Sequence, residues 1–235
     1  MLVGVDDPSP NAPVDTRVLL IRHGESRAQE LGIVGGHRGC QGLSELGRRQ
    51  VETLGDRLVS SRRTEEEWVL YASIMPRAVE TASMLSATLG GPEPVRDCNF
   101  CEHHPGEGDG LTWDEYQARY PVPDTWDPHL RRGPGAETWT EMAERVASGL
   151  DALVDRHRGE TVLVACHGGV IIHSLLRWLG IDPPGSVNRA WMNPANASIT
   201  EWRFTDPPSV SPGRDASRSI ELVRFNDHAH LIGLT

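Results

Sequence analysis

Two short aliphatic runs in this chain stop in the same way. Val18-Leu19-Leu20-Ile21 ends at Arg22-His23-Gly24, and Val162-Leu163-Val164-Ala165 ends at Cys166-His167-Gly168. Continuous apolar runs of this length, cut off by a polar residue and a glycine, read as strands buried on both faces. Such strands belong to α/β sheets, and ligands gather at their carboxyl ends. Both histidines should therefore stand on one rim. Each following glycine lets backbone approach a ligand, and Gly168, placed before a helix, aims N–H groups at an anion.

The rest of the chain fits that frame. Trp68 to Ala72 reads as a further strand, and Ala197 to Phe204 and Ile220 to Phe225 as two late ones. Leu46, Val51, Leu54 and Leu58 have helical spacing behind Ser44 as N-cap. Pro76 opens a helix that runs to about Leu89 and stops at Gly90-Gly91-Pro92. Thr112 to Tyr120 forms a short helix. Trp139, Met142, Val146, Leu150 and Leu153 mark an amphipathic one, and Val170 to Leu179 is apolar nearly all round and hence buried. Residues 32–42, 92–111 and 121–136 lack any period and read as loops. Alternating strands and helices give a three-layer α/β/α sandwich with a mostly parallel central sheet. Residues 1–15 read as a mobile tail, 16–235 as one domain, and 206–219 as a flexible connection within it.

Composition narrows the chemistry. All 23 basic residues are arginine, so no P-loop lysine, Schiff-base lysine or lysine base is available. The formal net charge of −10 argues against a nucleic-acid partner. An anionic substrate must be drawn into a local positive pocket against an acidic background. No apolar run approaches a membrane span, and no basic-then-apolar leader is present at the start, so a cytoplasmic protein with reduced thiols is expected.

Arg22-His23-Gly24-Glu25 resembles the opening motif of the histidine phosphatase superfamily, the phosphoglycerate-mutase-like enzymes. Four more segments resemble that family in the same order. They are Gly42-Leu43-Ser44-Glu45-Leu46-Gly47, the run Ser73 to Ala82 around Arg77, Glu102 with the glycine-rich stretch to Thr112, and His167-Gly168-Gly169. Asn196-Ala197-Ser198-Ile199 matches its late strand.

The resemblance implies a phosphomonoester hydrolase acting on a small phosphorylated metabolite. Neutral His23 would attack phosphorus and carry the phosphoryl group, and its other ring nitrogen would be held by a fixed acceptor, a backbone carbonyl. Arg22 and Arg77 would offer guanidinium forks to the phosphoryl oxygens, and His167, Gln29 and Gly168 would complete the pocket. Glu102 would be the general acid. By residue type alone Asp97, Glu107 and Asp109 compete with it; the resemblance falls on Glu102. Glu25 is expected to be structural. No metal and no cofactor is required, so chelators should leave turnover intact.

Some features depart from the family. Gln29 stands where asparagine is usual, and Gly106-Glu107-Gly108-Asp109-Gly110 replaces a tryptophan-bearing loop. Glu102-His103-His104-Pro105-Gly106 partly resembles the mutase form, but without lysine the mutase reading is the weaker alternative; a silent phosphate-binding module is the other. Arg131-Arg132 read as a solvated pair, with an anionic substrate tail as the alternative partner. Cys98-x-x-Cys101 with His103 and His104 puts four potential metal ligands into seven residues, yet the spacing is tight and no second pair follows, so no metal is assigned. Trp113, Trp126 and Trp139 read as core residues, with an apolar substrate wall as the alternative. The residues fix neither the substrate nor the oligomeric state.

Overall fold

The computed structural model describes residues 14–61, 67–123, 125, 127–181, 192–207 and 218–234. Most of the expected tail and of the 206–219 connection, together with Trp126, lies outside these residues.

The sheet is built from β1 (Val14–Arg22), β2 (Trp68–Ala72), β3 (Val95–Arg96), β4 (Thr161–Cys166), β5 (Ile199–Asp206) and β6 (Ser219–Asp227). Its order is β3-β2-β4-β1-β5-β6. The pairs β1/β4, β2/β4 and β2/β3 are parallel; β5 is antiparallel to β1, and β6 to β5. The helices are α1 (Arg27–Glu30), α2 (Glu45–Ser61), α3 (Pro76–Leu89), α4 (Trp113–Arg119), α5 (Trp139–Arg156) and α6 (Gly168–Leu179).

Strand alternation sorts the core into two layers. Leu19 and Ile21 of β1 face α2 and α3, packing with Leu54, Leu58, Leu85 and Leu89. Val18 and Leu20 face the other way, onto Val146, Leu150, Val170 and Ile171 of α5 and α6. The expected sandwich is thus present.

Several boundaries differ from the sequence reading; β5 starts at Ile199 rather than Ala197, and β6 runs from Ser219 to Asp227 rather than Ile220 to Phe225. Val14 and Asp15, expected in the tail, extend β1 because they pair with Asp206 and Thr205 of β5. The 92–111 segment is not all loop: Val95 and Arg96 add an edge strand to β2, and two 3-10 turns follow at Cys98–Phe100 and Gly106–Gly108. Helix α6 starts at Gly168 rather than Val170, with His167 as its N-cap residue.

Register places the rim. Arg22 pairs with Cys166 across β1 and β4, so His23 and His167 leave the sheet side by side. The His23 amide donates to the Cys166 carbonyl at 3.0 Å. Ser73, the residue after β2, donates its amide to Ala165 at 3.0 Å and joins the same rim. The turn after β1 is held by close backbone packing. A Cβ on Gly24 would stand 2.4 Å from the Gly47 carbonyl oxygen, and one on Gly47 would stand 2.0 Å from that of Glu25. The Gly42–Gly47 motif therefore lets the first turn of α2 lie directly on the His23-Gly24-Glu25 backbone.

Candidate active site

His23 is buried, and both its ring nitrogens are engaged. Nδ1 lies 2.6 Å from the Gly24 carbonyl oxygen, which fixes the proton there, and Nε2 accepts from Arg77 Nε at 3.0 Å. Burial, then the Arg77 charge, holds its pKa well below the ordinary histidine range, with Arg22 adding to the effect and the Gly24 carbonyl opposing it. The ring is therefore neutral near pH 7, with its lone pair on Nε2.

Arg77 sits in the first turn of α3, which Pro76 opens. It is 5 % exposed, and its other nitrogens donate to the Gly35 carbonyl at 2.7 Å and the Met75 sulfur at 3.2 Å. Arg22 donates to Asn193 Oδ1 at 3.1 Å and to the Pro194 carbonyl, while its Nε is buried without a protein partner among the described residues.

The His167 ring meets that of His23 edge-on, centroids 5.0 Å apart. It is fully buried, and burial, then Arg77, His23 and Arg22, pushes its pKa well below the ordinary value. Nε2 lies 2.8 Å from Ser73 Oγ; Nδ1 has no partner among the described residues. A buried polar atom left unpaired costs about 1–3 kcal/mol, so this nitrogen is one that a water or a bound group would satisfy.

Glu102 reaches the same mouth. Its carboxylate accepts from the Gly169 amide at 3.1 Å, at the start of α6, and from the His103 amide at 3.0 Å. The competing carboxylates are committed or remote. Asp97 caps the turn at Cys98–Phe100, Asp109 accepts from the amides of Gly36, Arg38 and Gly39, and Glu107 is exposed. Gly168 opens α6 beside Arg22, whose Nε would lie 3.8 Å from a Cβ built there.

The structure does not bring Gln29 in as a phosphate donor. It closes a capping box with Ser26 and pairs with Asn196, whose amide donates to the His23 carbonyl at 3.0 Å. Glu25 accepts from Ser44 Oγ at 2.7 Å, a structural role. Arg131 and Arg132 are not a free solvated pair. Arg131 holds Glu141 at 2.5 Å and the Ala136 carbonyl; Arg132 donates to Tyr120 O at 2.6 Å and lies 4.7 Å over the Tyr116 ring. Trp113 is half exposed, and Trp139 packs on His173 with centroids 4.4 Å apart.

Sequence reasoning missed Ser73 and Asn196 as partners of the two histidines. Both lay inside recognised motifs, but only strand register shows what they touch.

Residues 18–209 match the description of the histidine phosphatase superfamily, branch 1, and the chain belongs to that family. It is a hydrolase of the phosphatase type, with the mutase reading the less favoured. It is 28 % identical to the metal-independent phosphoserine phosphatase of Arabidopsis thaliana over 83 % of this chain and 82 % of that one. Among solved structures it resembles a mycobacterial glucosyl-3-phosphoglycerate phosphatase in complex with vanadate, with 25 % identity and a TM-score of 0.68 over 90 % of this chain and 99 % of that one. The YhfR protein of Bacillus stearothermophilus gives 26 % identity and a TM-score of 0.70, covering 92 % of this chain and 99 % of that one.

Proposed function

We propose that the chain hydrolyses small phosphate monoesters through a phosphohistidine on His23. The observation that carries this is the state of that ring: neutral, oriented by the Gly24 carbonyl, with its Nε2 lone pair beside a buried guanidinium. Nε2 attacks phosphorus while Arg77 and Arg22 neutralise the equatorial oxygens, and His167 presents its unpartnered Nδ1 to the same group. Glu102 protonates the leaving alkoxide, then takes a proton from the water that cleaves the phosphohistidine. The protein supplies the positive charge, so this route needs no metal. The substrate is a small phosphorylated metabolite; the relatives named for phosphoserine and for glucosyl-3-phosphoglycerate support an ester with a carboxylate near the phosphate. Its site of action is the cytoplasm, where thiols such as these four cysteines carry stay reduced.

Rapid-quench trials with radiolabelled phosphoserine and an aryl phosphate test the proposal. Acid-labile, base-stable label on the wild type and none on His23→Ala is the expected result. Turnover with no such label at any time point would remove the covalent step.

A further inference from the structure

Outside the catalytic pocket, four metal-ligating side chains from two loops converge. The Nε2 atom of His37 lies 3.8 Å from Cys98 Sγ and 3.7 Å from Cys101 Sγ, and His104 Nε2 lies 3.6 Å from Cys98 Sγ. One ligand atom from each of the four falls within 4.8 Å of all the others. Tetrahedral zinc, with Zn–S of about 2.3 Å and Zn–N of about 2.0–2.1 Å, requires sulfur–nitrogen edges of about 3.6 Å. All three sulfur–nitrogen distances given fall close to that. The two sulfurs are 2.8 Å apart, closer than the roughly 3.8 Å of a zinc dithiolate. A rotation of the partly buried Cys98 thiol opens this edge.

We infer that His37, Cys98, Cys101 and His104 form a structural zinc site that ties the loop after α1 to the loop bearing Glu102. A tetrahedral set of two sulfurs and two imidazoles is the donor chemistry of zinc. Binding releases two thiol protons, so the divalent ion and two thiolates make a neutral centre. The surroundings are those of a built site. Arg145 clamps the Cys-x-x-Cys turn by donating to the carbonyls of Cys98, Asn99 and Cys101 at 2.8–3.1 Å. It also holds both oxygens of Glu137 at 2.8 Å, and Glu137 Oε2 lies 4.0 Å from Nδ1 of His104, on the ring edge away from the sulfurs. A carboxylate behind a ligating imidazole is the usual outer support of such a centre. The sequence spacing of Cys98, Cys101, His103 and His104 assigned no metal, and His103 stays outside the cluster, with its Nε2 taken by the Glu137 carbonyl at 2.5 Å; the fourth ligand comes from His37, 61 residues before Cys98.

The ion has no step in phosphoryl transfer. It lies behind Ser73, whose hydroxyl touches Cys101 Sγ at 3.3 Å and His167 at 2.8 Å, and its role is to hold the loop that presents Glu102.

The test uses the full chain, stripped with a chelator under reducing conditions and titrated first with cobalt, then with zinc. One equivalent of cobalt should give thiolate charge-transfer bands and intense tetrahedral d–d bands, which zinc bleaches. Zinc should raise the Tm of the wild type and not that of Cys98→Ser. His37→Ala, on an exposed loop, should weaken binding by more than about tenfold, while His23→Ala binds as the wild type does. Binding that survives Cys98→Ser and His37→Ala unchanged is an adventitious ion only and overturns the site. So does a reduced chain that takes up no stoichiometric metal, or a metal-free chain isolated with Cys98 and Cys101 joined as a disulfide. None of these readouts uses turnover, so failure here is distinct from failure of the phosphohistidine reaction.

Discussion

Gly169 and Glu102 are fitted to each other: the glycine amide donates to Oε2 at 3.1 Å, and a Cβ on that glycine would lie 2.2 Å from Oε1. The same Cβ would press on Met142 Cε at 2.6 Å, so neither side is open. The first turn of α6 thus needs glycine for a chemical reason, to seat the acid. Gly169→Ala should displace the carboxylate and cost about 100-fold in kcat on alkyl phosphates, at the lower end of the range for general acid catalysis. Aryl phosphates, whose leaving groups need little protonation, should lose far less. A series of esters with graded leaving-group pKa checks this, with Glu102→Gln alongside. An equal loss across the series would mean that Glu102 is not the acid.

His173 sets a stability limit on the acid side. It lies on α6, 3 % exposed, its ring tilted against that of Trp139, and burial lowers its pKa to about 4 despite the opposing charge of Glu102. The folded pKa is below the unfolded value of about 6.5, so the unfolded chain takes the proton first on acidification. Its contribution is complete above pH 6.5 and falls away toward pH 4. Linkage gives a loss of about 2 kcal/mol between pH 7.5 and pH 5 from this group. Urea unfolding at the two pH values should show His173→Leu losing less than the wild type by about that amount. Parallel pH dependence in both would exclude His173 as the source.

The two loop arginines separate a substrate role from a structural one. Arg131 braces the 121–136 segment through Glu141 and the Ala136 carbonyl, with both partner side chains about half exposed. Screening at such a surface keeps the ion pair below about 1 kcal/mol. Arg131→Ala should therefore lower the Tm slightly and change KM alike for polyanionic and simple aryl phosphates. A selective rise in KM for the polyanionic ester would return Arg131 to the substrate pocket.

How much of this was legible in the sequence depended on range. The paired strand ends at His23 and His167, the cap at Ser44, the short helix expected from Thr112 and the Pro76 helix start are local signals, and they appear at or within a residue or two of their expected places. Asp109 lost its claim as the acid only through contacts with amides some seventy residues away. The edge strand at Val95–Arg96 is two residues long and exposed, too short for any period to show. His37 sits in a glycine-rich loop with no pattern around it, and only the folded chain brings it to the cysteines.

Ser73 is the clearest case of a long-range partner, and it gives a sharp test. The end of β2 places its hydroxyl 2.8 Å from His167 Nε2, inside a fully buried site. Ser73→Ala leaves that nitrogen with no partner and frees the ring to rotate, so Nδ1 loses its fixed direction. An unmet buried hydrogen bond of this kind costs about 1–3 kcal/mol, and 1.4 kcal/mol is tenfold in affinity. Vanadate, which occupies a phosphoryl site, should bind about tenfold more weakly to Ser73→Ala, with kcat/KM falling by a similar factor. The neutral His23 ring is held by the Gly24 carbonyl and Arg77, so phosphohistidine should still form in Ser73→Ala, only more slowly. Isothermal titration with vanadate and single-turnover labelling measure the two effects. Unchanged vanadate affinity with a folded variant would show that His167 takes its orientation from its neighbours on α6 instead.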